Sequence, residues 1–217
     1  MNVKDIIRQA SIAITGIPVP SEEEESYYLS VLNSAHIELW DIATDYFNNR
    51  YCSLTPLSAE FGADGVELAN FKKVFFAFLT KYGDIEEKPY EFLLNDIGFT
   101  QRETIKYYTV LRNSKSCKLY LHPLPQLSFR QSVHLGYSTH ATELLLDDQA
   151  EQIPYDLKTV QGLLLGVCAK AIGSNLGSAD KSEYNYYMQK WEEFKNNFRA
   201  DIYAISPKKT GRFFNYV

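Results

Sequence analysis

Three of the four histidines in this chain, His122, His134 and His140, lie close together in sequence, with Glu143 and Asp147 just beyond them. Imidazole and carboxylate groups are the ligands zinc and iron take, so this composition could build a metal site. No pair among them stands at a recognised ligand spacing. The local alternation puts His122 and His134 on the polar side of their strands, which reads more simply as a solvated sheet face. Four carboxylates, Glu22 to Glu25, follow Ser21. Ser21 and Glu24 stand at capping-box spacing, so this run reads as a solvated helix start facing the positive end of the helix dipole. His36 reads as a helical packing residue. Cys52, Cys117 and Cys168 are odd in number and widely spaced, as expected of reduced, incidental thiols and not of a disulfide frame or zinc site. Cys168, mid-helix beside Val167, reads as a small core residue. Nucleophile elbows, phosphate loops and HExxH pairs are missing, and Gly162 to Gly177 holds no GxGxxG after a strand. No catalytic residue, metal or cofactor is therefore expected.

The elements around these residues are better defined. Val3, Ile6, Ile7, Ala10, Ala13 and Ile14 recur at helical spacing, predicting a short helix over 3–14. Gly16, Pro18 and Pro20 force a turn. A long helix is predicted from Ser21 to about Asn49, with Tyr28, Leu29, Leu32, Ala35, Leu39, Trp40, Ala43, Tyr46 and Phe47 on its apolar face. Residues 50–100 are ambiguous, but Phe71–Leu79 is rich in Val and Phe and reads as a strand. Alternation over 105–111, 118–121 and 129–137 predicts further strands, the first two as a hairpin. Pro154 suits a first helical position, and Leu157, Val160, Leu163, Leu164, Val167 and Ala171 form the stripe that follows. Gly162, Gly166 and Ala169 allow close helix approach. The final helix, about 179–205, carries Tyr184, Tyr187, Met188, Trp191, Phe194, Phe198, Ile202 and Ile205 at near-heptad spacing.

The expected fold is therefore α+β: a helical bundle of two N-terminal and two C-terminal helices with an inserted small antiparallel β-domain. The division is 1–52 with 150–205 as the helical body, 53–149 as the β-rich insertion, and 206–217 as a tail. With 217 residues, 45% hydrophobic and 23% charged, the chain can bury a substantial core. Its net charge of −5 gives no basic field for gripping phosphates. No apolar run approaches the ~20 residues of a membrane span, and no signal-like leader opens the sequence.

The stretch Ser206–Val217 differs in kind. It carries Lys208, Lys209 and Arg212 without an acid, beside Phe213, Phe214 and Tyr216. Docking into a partner's groove, with aromatic anchors and cations on acidic rims, is one explanation. Folding back on its own domain is the other.

Three places resemble the head-to-tail adaptor (connector ring) proteins of tailed bacteriophages, the short-tailed-phage type in particular. Ile6–Ala10, the Gly-Pro turn, Ser21–Glu25, Leu32-Asn33 and Glu38–Trp40 look like that family's opening helix pair. Leu119–Pro125 and Leu135–Tyr137 are similar to its central β-insertion. Ile153-Pro154, the small-residue helix and Tyr186–Trp191 look like its closing pair. The resemblance implies a non-enzymatic virion protein at the portal–tail junction, made in the host cytoplasm. It would form a ring, dodecameric when assembled, beneath the portal protein. Its partners would be the portal, further copies of itself, the next tail or neck protein, and double-stranded DNA passing through without sequence-specific binding. No membrane is involved. Lys208, Lys209, Arg212, Phe213, Phe214 and Tyr216 would dock on the portal, and Trp40, Tyr46, Tyr187, Trp191 and Phe198 are candidates for subunit contacts. Another neck or tail component, such as a stopper or tail-tube subunit, stays open, and behind it a small metal-dependent cytoplasmic enzyme.

Overall fold

A computed structural model describes residues 1–57, 65–79, 83–89, 91, 105, 107–112, 117–122, 133–174 and 181–206. The chain divides into two compact units, Met1–Tyr46 with Ala141–Val217, and Phe47–His140.

Among the described residues, four helices build the first unit: α1 (Val3–Thr15), α2 (Glu22–Ala43), α3 (Leu157–Ser174) and α4 (Lys181–Ile205). Both N-terminal helices open with capping boxes, which satisfy backbone donors that have no partner inside the helix. The Asp5 amide donates to Asn2 Oδ1 at 2.8 Å, and the Ser21 amide donates to Glu24 Oε2 at 2.8 Å. Helix α1 ends at Gly16, whose left-handed φ of 73° costs glycine nothing. Helix α2 ends at Ala43, short of the predicted Asn49. The Thr44 hydroxyl and amide both donate to the Trp40 carbonyl, at 2.7 and 3.0 Å, and the next amide, of Asp45, turns to the Ile42 carbonyl at 3.3 Å. Asn48 then accepts from the Tyr51 amide at 2.9 Å in an Asx turn. Helix α3 starts three residues after Pro154, because Asp156 is the better cap: its carboxylate accepts from the Thr159 amide at 2.8 Å.

Helix α3 is the hub. Val160, Leu163, Val167, Cys168, Ala169, Ala171 and Ile172 are buried, and α1, α2 and α4 all pack on it. Helix α4 runs antiparallel to it, since Lys158 meets Asp201 at 3.5 Å at one end and Gly173 meets Tyr184 at the other. Between those points the α4 aromatics seat directly on α3 glycines, Phe194 over Gly162 and Trp191 over Gly166. Trp191, Phe194 and Phe198 form a stack, with successive ring centroids 6.0 Å apart. Of the predicted α4 stripe, Trp191, Phe198 and Ile202 are buried, while Ile205 is exposed.

The expected small antiparallel β-domain is corrected by the second unit. It is a seven-stranded, curled, mixed sheet resembling half a barrel, so the fold is not a helical bundle with a small insertion. Its strands are β1 (Ser53–Leu57), β2 (Val66–Glu67), β3 (Phe71–Leu79), β4 (Gly83–Glu87), β5 (Tyr107–Arg112), β6 (Cys117–His122) and β7 (Val133–Thr139), in the order β1-β7-β3-β4-β5-β6-β2. β4 and β5 are parallel, and every other neighbouring pair is antiparallel. Strands β1 and β2 are short, show no apolar alternation, and find their partners in β7 and β6, far along the chain. Register shifts on either side of Lys73-Val74 leave Lys72 and Phe75 as extra residues in β3 against β7, and such bulges bend a strand. One face of the sheet packs Ala77, Leu79, Ile85, Tyr108, Leu119, Leu121, Val133 and Leu135 together.

Candidate interaction surface

Among the described residues, no three His, Cys, Asp or Glu side chains converge as metal ligands. The histidines of the strand block are separated: His122 lies on β6 and His134 on β7, with β3, β4 and β5 between them. Both face away from the apolar cluster, as the alternation predicts. His122 is nonetheless buried, which corrects its reading as a solvated residue. His134 stacks on Phe78 with ring centroids 4.9 Å apart. His140 and Glu143 are exposed, and Asp147 pairs with Lys4 at 2.7 Å. None of the three cysteines is in a disulfide, and burial raises the pKa of each, that of Cys168 to about 12. A thiol so held stays protonated and is a poor nucleophile.

The polar groups that do converge lie in the helical unit. His36, on α2, is 1% exposed. Its Nε2 stands 3.0 Å from the Thr142 carbonyl, which can only accept, so Nε2 carries the proton. Nδ1 is then the acceptor for the Tyr155 hydroxyl at 2.9 Å. One turn earlier, the Asn33 amide bonds both backbone groups of Leu144, donating to its carbonyl at 3.0 Å and accepting from its N–H at 2.7 Å. Together these side chains latch the re-entering segment Thr142–Leu144 along α2.

Glu38 joins three helices. Lys170 of α3 donates to it at 2.5 Å, and Lys195 and the Trp191 indole of α4 each donate at 3.3 Å. Burial pushes its carboxyl pKa up, but the two ammonium groups outweigh that and leave it below the usual value. Its side chain is 39% exposed, so solvent screens the network. Glu38→Gln should lower stability at pH 7 by about 1 kcal/mol, since several charges share one acceptor. The depressed pKa means this contribution is present above pH 4.5 and lost as Glu38 protonates in acid. Denaturant titration of both proteins at neutral pH and near pH 3 would measure the gap, which should shrink in acid.

No protein-family model matches the chain, and no curated protein matches it. Of the candidates for subunit contact, Trp191 and Phe198 are buried in the helical unit's own core, and Trp40 and Tyr187 are half-buried. Tyr46 is 44% exposed and packs edge-on against Tyr203, with ring centroids 5.4 Å apart. Lys208, Lys209, Arg212, Phe213, Phe214 and Tyr216 lie outside the described residues.

A surface with no periodic signal in the sequence stands at the turn from α1 to α2. Ile12, Ile17 and Val19 are 44%, 45% and 74% exposed. The turn is held from within: the Ser11 hydroxyl donates to the Ile17 carbonyl at 2.8 Å, the Ile17 amide to Thr15 Oγ1 at 3.2 Å, and the Gly16 amide to the Ile12 carbonyl at 3.0 Å. Glu22 and Glu23, both exposed, follow directly. A preordered apolar corner loses little entropy when covered. Its trace in the sequence is the uncharged run Gln9–Ser21, in which turn residues separate the hydrophobic ones. Among the described residues, no helix is long and apolar enough to cross a membrane.

Proposed function

We propose that the chain is a structural subunit of the head-to-tail adaptor type, forming a ring beneath the portal of a tailed phage. In that role it extends the DNA channel and offers the platform for the next tail component. The observation that carries this reading is the discontinuous helical unit. The opening and closing helix pairs, which carry two of the three resembling patterns, pack as one unit around α3, with a separate sheet unit inserted between them. The charge pattern agrees with a channel through which DNA slides: the net charge is −5, and α2 holds no Lys or Arg. The role is non-catalytic, in keeping with dispersed histidines and protonated thiols.

Mass photometry of the chain mixed with the portal protein of the same genome tests this. A portal particle that gains the mass of a ring of subunits is the expected result. A portal particle whose mass is unchanged at micromolar subunit overturns the assignment.

A further inference from the structure

We propose that residues 207–217 fold back on the end of the helical unit from which they emerge, seating Phe213, Phe214 and Tyr216 against Leu157, Ile205, Tyr46 and Tyr203 of the same chain. This gives the segment a seat within its own chain, and it does not rest on the adaptor reading.

The exposed apolar end has a structural origin. Helices α3 and α4 are antiparallel, and Lys158 meets Asp201 at 3.5 Å. Only Leu157 of α3 lies beyond that point, whereas α4 runs on for a further turn to Ile205. The apolar stripe of α4 therefore outlasts the helix it packs on. Ile202 is 2% exposed, but Ile205 is 55% exposed and Leu157 63%. On the side of α4 towards α2, Tyr203 and Tyr46 are also exposed, and they pack edge-on. Two apolar pairs flank the last turn of one helix.

The course of the chain says what covers them. The Ser206 amide and hydroxyl both donate to the Ile202 carbonyl, at 3.1 and 2.7 Å. Pro207 has no N–H with which to continue the ladder. The segment therefore starts between the two pairs, which stand on either side of a helix ~10–12 Å across. Phe213, Phe214 and Tyr216 follow Ser206 by seven, eight and ten residues. A flexible chain of that length spans roughly 13–19 Å, which matches the width to be covered. Such a match holds the segment at a local concentration on the order of 1 mM. A free partner at micromolar concentration would need contacts about 1000-fold tighter to take its place.

Charge agrees. The helix ends that meet here carry Asp41, Asp45, Asp156 and Asp201, all exposed, against Lys158 and Arg199. The segment brings Lys208, Lys209 and Arg212 without an acid. Aromatic anchors on apolar side chains, with cations over a surplus of carboxylates, make a complementary contact.

Hydrogen-exchange mass spectrometry on the full chain tests this, because a helix end frays when nothing covers it. The amides of residues 202–206 are expected to exchange at least ~10-fold more slowly than in Phe213→Ser/Phe214→Ser/Tyr216→Ser, at every protein concentration. The converse variant, Leu157→Lys/Ile205→Lys, alters only exposed residues and keeps good helix formers. There, trypsin should cut after Arg212 at least ~10-fold faster than in the unaltered chain. Equal exchange in the first comparison, or equal cleavage in the second, would overturn the proposal. Protection that rises with protein concentration would assign the contact to a second copy and overturn it too. The portal is absent from both measurements, so their result is separate from that of portal attachment.

Discussion

Gly162→Ala is expected to destabilise the protein by about 2 kcal/mol, although alanine is the better helix former by ~1 kcal/mol. A Cβ at this position would clash with the tip of the Phe194 ring. Phe194 cannot swing aside freely, because Trp191 and Phe198 stack on it to either side. The decisive measurement is the same substitution in a Phe194→Ala background. There the ring is gone, and Gly162→Ala should become stabilising by ~1 kcal/mol, the helix-propensity term alone. Urea unfolding of the four proteins measures this change of sign. A substitution equally harmful in both backgrounds would show that the contact does not limit the approach of α3 to α4.

His36→Phe should cost about 2–3 kcal/mol near neutral pH, because it removes an acceptor from the Tyr155 hydroxyl and a donor from the Thr142 carbonyl. It should also remove a pH dependence. Burial lowers the pKa of His36 below 6.5, with the bond to Thr142 opposing. Between the folded and unfolded pKa values the unfolded chain therefore binds more protons. Stability from this residue is complete above pH 6.5 and falls as the pH drops below it, with a slope of at most ~1.4 kcal/mol per pH unit. The variant's stability should change less between pH 7.5 and 5.5 than the unaltered chain's. Equal changes would mean that His36 is not the titrating group.

These two sites differ in how plainly the sequence announces them. Gly162 and Gly166 stand out as small residues in a helical stripe, and the near-heptad aromatics of α4 point to their partner. The Ser21–Glu24 cap is readable from its capping-box spacing, and the Phe71–Leu79 strand from its Val and Phe content. Asn33, His36 and Glu38 were opaque because their partners lie more than 100 residues away, at Leu144, Tyr155 and Lys170, so no local spacing records them. The sheet was underestimated for a related reason. Short strands that pair with distant ones need little pattern of their own: Ser53–Leu57 contains a proline and depends on β7 for its bonds. The exposed corner leaves no periodic signal, since Ile17 and Val19 lie between turn-forming residues and count towards no apolar face.

The latch of Asn33 and His36 on Thr142–Leu144 also has a consequence for how the protein is made. When α2 leaves the ribosome it has only α1 to pack on, and the segment that Asn33 and His36 latch is not made until the 94 residues Phe47–His140 have been synthesised. At ~5–20 residues per second that takes roughly 5–20 s. The sheet unit is continuous in sequence and can close during this interval, whereas the helical unit must wait for α3. Helices α1 and α2 thus emerge before the sheet unit yet are buried after it, and the nascent α1–α2 hairpin is the natural client for a chaperone during synthesis.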